Sequence, residues 1–404
     1  MSTFTISRYS DAMEALKEAQ LAQSGYDEGA VIMADVLLVL HGAAHRARRL
    51  VELRVFRRDF FRYYEQQVFP ATLAQTIGEY ETLGRADLIE FSVRVTLNLT
   101  ADFAGIDRLA GDSRETEHLR RLVATFSEGA ILVHSTRDKE VVRSEVRAAL
   151  AEFDAAFYQP SLARRQLLLR QFAAGQLGLE ELPRDVLTVL LQNADKVAMP
   201  AELMMREIAF YLQAGSHSTA NATAHAFHDV GTWCAANPQD RARIGHDPLF
   251  LQRCVHESLR LHPASPVAQR RAVCPVALAD GRGAATDDRV VIDMSAANRD
   301  PGVFGVDAER FNPHRVLPEG VPPWGLTFGV GAHTCLGRDL DGGVLPRADT
   351  DSAAHQYGIV PLLVQALMQR NARPDPARPA TAAENTVRAN WGSYPILLDT
   401  LARE

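Results

Sequence analysis

The sequence predicts a mainly α-helical fold with a few short strands. Three observations carry this. From about residue 60 to 200 the chain is rich in Leu, Ala, Glu and Arg, with apolar residues recurring at i, i+3 and i+4. Pro200 opens a second, longer helical stretch that reaches about Ala236. Alternation typical of strands appears over Val267–Met294, with a turn at Asp280-Gly281-Arg282-Gly283.

The chain has 404 residues, 47% hydrophobic, enough for a large core. No linker, repeat or low-complexity tract divides it, so one domain over 1–404 is expected. A net charge of −7 argues against nucleic acid as a partner. Cys234, Cys254, Cys274 and Cys335 are few and scattered, as in a reducing compartment. The first twenty residues are polar and lack an apolar signal core. The apolar run Val31–Leu40 is interrupted by Asp35 and is too short to span a bilayer. A cytoplasmic protein with no membrane partner is the expectation.

Residues 10–23 read as a short amphipathic helix through Ala12, Ala15, Leu16 and Ala19. His45 and Arg49, four apart on the next helix, share a face and could hold one carboxylate; a solvated basic face would read the same. Segments 66–83, 87–104, 114–134, 139–157 and 161–174 follow as helices, then a short one at Asp185–Leu191.

The long helix would span roughly 50 Å at about 1.5 Å per residue. Its middle reads Ala214-Gly215-Ser216-His217-Ser218-Thr219. Gly215 costs about 1 kcal/mol against alanine there, which points to close approach or local unwinding. Ser218 and Thr219 can bend the helix by bonding to upstream carbonyls. Glu257 and Arg260 sit three apart on a further helix and can pair.

Phe328-Gly329-Val330-Gly331-Ala332-His333-Thr334-Cys335-Leu336-Gly337 sets one cysteine among glycines just before a helix start. Tight glycine turns and helix-start N–H groups surround the sulfur with donors, which stabilise a thiolate. No second cysteine lies within CxxC reach, so a zinc or iron–sulfur cage is disfavoured, whereas a single axial bond to haem iron suits it. A glycine-rich turn around an inert cysteine is the bland alternative.

This decapeptide resembles the haem-binding loop of the cytochrome P450 family, FxxGxHxCxG, at every fixed position. Glu257-Ser258-Leu259-Arg260 resembles its ExxR, and Asp307-Ala308-Glu309-Arg310-Phe311 its PERF region, with Arg310 the arginine that would complete the ion-pair network. The resemblance implies a mainly α fold with small peripheral β-sheets, haem b bound between the long helix and the Cys335 loop, and Cys335 as the iron ligand. It implies His45, Arg49 and Arg270 as partners of the haem propionates, and Ala214, Gly215, Phe328, Gly329, His333 and Gly337 as further cofactor-binding positions. The activity implied is a monooxygenase inserting one atom of O2 into a small apolar substrate. Electrons would come from a separate ferredoxin or flavodoxin-type donor.

The chain departs from the pattern in three places. Only 44 residues precede His45, so the N-terminal helix and its small sheet are expected to be abbreviated. His217 stands at the helix acid, Ser218 at the usual threonine, and Thr219 follows. A hydroxyl can still relay a proton, but a histidine carries no fixed negative charge. These three are the catalytic candidates. Peroxide-driven or rearranging chemistry, or a catalytically silent binding member, are therefore the alternatives. Lastly, Gly342-Gly343 and Pro346 should break the helix after Cys335, giving an inserted loop at 341–352 and a helix resuming near Ala353. Residues 155–182 would form the lid of the substrate pocket, and Trp391–Tyr394 a turn reaching into it.

Overall fold

The computed structural model describes residues 1–399; the last five residues of the expected 1–404 domain lie outside it. Helices dominate, and four small sheets lie among them. The long helix Ala201–Ala236 is the axis of the molecule. It packs most extensively on Leu88–Ala104, and also on Ser113–Ala130, Pro248–Leu261 and Ile359–Gln369.

The helix is continuous through Gly215, without unwinding. A Cβ at Gly215 would overlap Thr100 Cγ2 of the neighbouring helix, so close approach is what the glycine serves. Hydrogen bonds sew the same contact: Thr96 Oγ1 donates to Ser216 O (3.0 Å), and the Thr100 and Ser216 hydroxyls meet at 3.0 Å.

The first helix is Tyr9–Lys17, shorter than expected, because the chain turns into the strand Leu21–Gln23. That strand joins a four-stranded sheet in the order Thr3–Ile6, Arg289–Asp293, Val267–Ala272, Leu21–Gln23. The sheet therefore persists, with its edge strand within the first six residues. It carries a second core of Ile6, Leu16, Val290, Ile292 and Phe304, distinct from the main helical core.

The expected break between helices 139–157 and 161–174 does not occur at Pro160, and Pro70 likewise lies within a continuous helix. Phe69–Leu83 and Gln159–Ala173 each continue an upstream helix through a widened π turn, Tyr64–Val68 and Asp154–Tyr158. The wider turn accommodates the N–H missing at Pro70 and Pro160. Residues 155–182, expected as a lid, hold the end of a long helix and a short turn at Leu179–Glu181. Arg165 in that helix pairs with Asp107, and with Asp185 at 2.9 Å. The segment that meets the C-terminal turn is instead 134–136, where Val387 N donates to His134 O (2.9 Å) and Thr136 N to Asn385 O (3.2 Å).

After Cys335 the helix Arg338–Asp341 stops at Gly342, and helix resumes only at Ile359, not at Ala353. The excursion is wider than 341–352 and its two ends touch. Gln252 Nε2 bonds the carbonyls of Gly342 (3.1 Å), Val344 (3.2 Å) and Tyr357 (2.9 Å). Glu65 accepts from Tyr357 N (2.7 Å) and Gly358 N (3.0 Å). Gly358, at φ 90°, takes a turn that favours glycine and sets the new helix start.

Candidate haem site

The Cys335 loop is held by its own backbone. Cys335 N donates to Phe328 O (2.8 Å) and Gly329 N to Leu326 O (2.8 Å), with Gly329 and Gly331 at φ 64° and 74°. Phe328 is buried edge-on against Trp324 at 5.6 Å. A Cβ at Gly337 would stand 4.0 Å from the sulfur, so the residue leaves room on that side. Cys335 retains accessible surface although protein atoms crowd around it. Burial, with Asp341 adding to it, pushes the thiol up to about 11, against a backbone bond from Gly337 and the charges of Arg49 and Arg338. Alone it is a thiol; a bound metal cation would make it a thiolate.

Around this loop gather two arginines and two neutral imidazoles. The His45 and His333 rings stand 4.2 Å apart, and Arg49 Nη2 donates to Thr334 O at 2.6 Å. Arg270 is buried and bonded to Gln23. Burial first, then the charges of His45, Arg270 and Arg49, lower His333 to about 3; burial, then Arg49 and His41, lower His45 to about 4. Burial lowers Arg270 to about 10. His45 Nε2 is buried without a hydrogen-bond partner. Among the described residues no carboxylate pairs with Arg270 or His45. Such a set fits an anion.

The basic helix Gly42–Glu52 is positioned by a buried network the sequence did not single out. Arg48 pairs with Glu207 on the long helix at 2.8 Å, Glu207 accepts from Leu37 N at 3.0 Å, and Tyr211 donates to Glu52. Burial lifts Glu207 to about 7, and burial followed by the charge of Glu207 raises Glu52 well above the usual carboxylate range. Polar residues on the long helix's buried face were the available signal.

The three catalytic candidates diverge. His217 Nδ1 meets Ser127 Oγ at 2.8 Å, and burial, then Arg120, lowers the ring to about 4. Ser218 Oγ donates back to Ala214 O at 2.5 Å. Thr219 Oγ1 donates to Asp341 Oδ1 at 2.8 Å. The helix thus has no carboxylate at this place, and a buried one is supplied from the segment after Cys335.

Behind the site, Arg260 and Glu257 form a bidentate pair (2.7 and 2.8 Å). Arg315, not Arg310, completes it, with Nε 3.2 Å from Glu257 Oε1. Arg310 offers its carbonyl to both arginines while its side chain stays exposed. A cleft of about 900 Å³ near Tyr64, Arg108, Arg165 and Asp185 holds none of these residues, and its buried arginine is already paired.

The family model described as Cytochrome P450 matches residues 246–340, from helix Pro248–Leu261 through the Cys335 loop. Over 98% of its length the chain superposes on 90% of the structure of CalO2 (TM-score 0.73, 20% identity). Over 98% it superposes on 93% of CYP109B1 from Bacillus subtilis (TM-score 0.71, 17% identity). It has the cytochrome P450 fold. Among curated P450 proteins, the "Cytochrome P450 family protein EryCII" of Saccharopolyspora erythraea is 38% identical over 132 residues, 31% of this chain and 33% of that protein. Cyclooctat-9-en-7-ol 5-monooxygenase of Streptomyces melanosporofaciens is 29% identical over 151 residues, 33% of this chain and 32% of that protein. The chain spans about a third of the length of these curated relatives. P450 proteins bind haem b, and the accessible sulfur, the unpaired arginine Arg270 and the bare His45 Nε2 fit that group. No helix among the described residues is long and apolar enough to cross a membrane.

Proposed function

We propose that the chain is a single haem-binding domain acting in the cytoplasm as a haem-thiolate monooxygenase. It would insert one atom of O2 into a small, largely apolar substrate, with electrons from a separate ferredoxin or flavodoxin-type protein. The observation that carries this is the accessible Cys335 in a backbone-locked loop, beside basic residues that lack a counter-charge. When bound, haem b supplies the oxidising chemistry. Cys335 would ligate its iron; His45, Arg49 and Arg270 would hold its propionates. Glu207 and Arg48 fix the helix that carries His45 and Arg49. The Ser218 hydroxyl, now turned to Ala214 O, is a short rotation from holding a water or passing a proton.

A second reading keeps the haem but uses peroxide or rearranges the substrate. It is favoured by His217, which faces Ser127 and is neutral above about pH 4, so no fixed negative charge stands at the acid position. The ferrous–carbon monoxide difference spectrum tests the first claim: a thiolate-type band, lost in Cys335→Ala, is expected. A histidine-type band insensitive to that change overturns both readings. Turnover with peroxide but none with NADPH and redox proteins would select the second.

A further inference from the structure

Arg49 and Arg270 are not the only arginines partly withdrawn from water. Arg388 lies in the turn between the strands Thr381–Ala382 and Trp391–Ser393. This turn is fastened to the junction of helices Ser113–Ala130 and Lys139–Phe153, through His134 O, Thr136 N and a bond of 3.1 Å from Thr136 Oγ1 to Glu384 O. So fastened, Arg388 reaches the far side and donates from Nη1 to Ala264 O (2.9 Å), just beyond the helix that carries Arg260. Its Nε is shut off from solvent and has no partner. Trp391 Nε1, three residues on, is likewise buried and bare. Among the described residues Arg388 forms no ion pair, and the groups that feel its charge are the Tyr26 phenol and the His134 imidazole, which it helps burial lower to about 4.

The Arg388 side chain is half-buried; a guanidinium with an enclosed, unbonded N–H and no counter-charge is costly, and one carbonyl satisfies only one of its five N–H groups. The arrangement makes sense where an anion visits. Ala264 O accepts from it and Tyr26 and His134 lie near enough to feel its charge, and a planar fork is suited to a carboxylate. We propose that Arg388 anchors a carboxylate at the end of the substrate, so that the site takes an apolar molecule terminating in an acid. This rests on the haem reading above. Tyr26 also neighbours Arg270, so a haem propionate is the other source of a carboxylate, and the test separates the two.

The haem-loaded protein is titrated with ω-(imidazol-1-yl)alkanoic acids of increasing chain length and with their primary amides, following the Soret shift as imidazole reaches iron. At the best length the acid should bind about tenfold or more tightly than the amide. Arg388→Gln should abolish that preference by weakening the acid alone, and Arg388→Lys should retain part of it. An intact carbon monoxide band shows each variant to be folded. No acid preference at any length, or a preference that survives Arg388→Gln, overturns the proposal. So does a shifted reduction potential or faster haem loss in ligand-free Arg388→Gln without acid selectivity, which assigns Arg388 to a propionate. A protein with no thiolate-type band overturns the haem reading as well, whereas a normal band with equal acid and amide affinity overturns this proposal only.

Discussion

Thr219 donates a hydrogen bond of 2.8 Å to Asp341 Oδ1, joining the long helix to the short helix that follows Cys335. The carboxyl lies deep among protein atoms, and burial lifts it to about 7 in spite of the threonine bond. An acid and an alcohol are thus paired beside the site, though not at the positions where the sequence motif would put them.

The pH behaviour of that pair is calculable in sign. A carboxyl raised from about 3.8 to about 7 on folding favours the folded state fully below about pH 4. This stabilisation is lost as pH rises through 7. Asp341→Asn cannot ionise, so relative to it the parent protein should lose melting temperature between pH 5 and 8. Parallel melting curves for the two proteins across that range would show the assignment to be wrong.

Gly215→Ala should destabilise by about 1–3 kcal/mol, since its methyl would overlap a β-branched side chain that cannot simply swing away. Thr100→Ser removes the offending Cγ2 and keeps the hydroxyl bonded to Ser216. In a double-mutant cycle by urea unfolding, the serine should recover most of the loss.

The ion-pair network predicts opposite results for two nearby arginines. Arg315→Ala leaves Glu257 buried with one partner fewer and should cost about 3–5 kcal/mol. Arg310→Ala removes an exposed side chain that makes no contact with Glu257, and should stay within about 0.5 kcal/mol. Equal melting temperatures for the two variants would place the network elsewhere.

His217→Asp would restore a carboxylate at the helix position where His217 now meets Ser127. If proton supply limits partner-driven turnover, product formed per NADPH should rise severalfold while peroxide-driven turnover stays flat. A fall in both would show His217 to be needed as a neutral group.

What the sequence could convey follows from how local each feature is. The Cys335 loop was legible because its glycines, its turns and its cysteine act within ten residues. Glu257 and Arg260 were legible because one helical turn brings them together. Arg315 was not: Arg310 fits the motif, but the path of the chain after Phe311 decides which guanidinium reaches Glu257. Glu52, Glu207 and Tyr211 meet only once two distant helices pack, so nothing in either segment announces them. The helices continued past Pro70 and Pro160 because a widened turn accommodates what a proline lacks, and periodicity does not encode that choice. The resumption of helix at Ile359 depends on Glu65 and Gln252, which lie far off in the sequence.

That last junction has a consequence for chain integrity. Gly343 and Gly358 lie so close that a Cβ on Gly358 would overlap the Gly343 nitrogen, while residues 346–353 between them are largely exposed. A protease cutting within that exposed stretch would sever the covalent chain without opening the joint, because Gln252 and Glu65 hold both cut ends from elements on either side. The nicked molecule should migrate as two pieces under denaturing conditions and as one otherwise, with Cys335 on the larger fragment and the surroundings of its sulfur undisturbed.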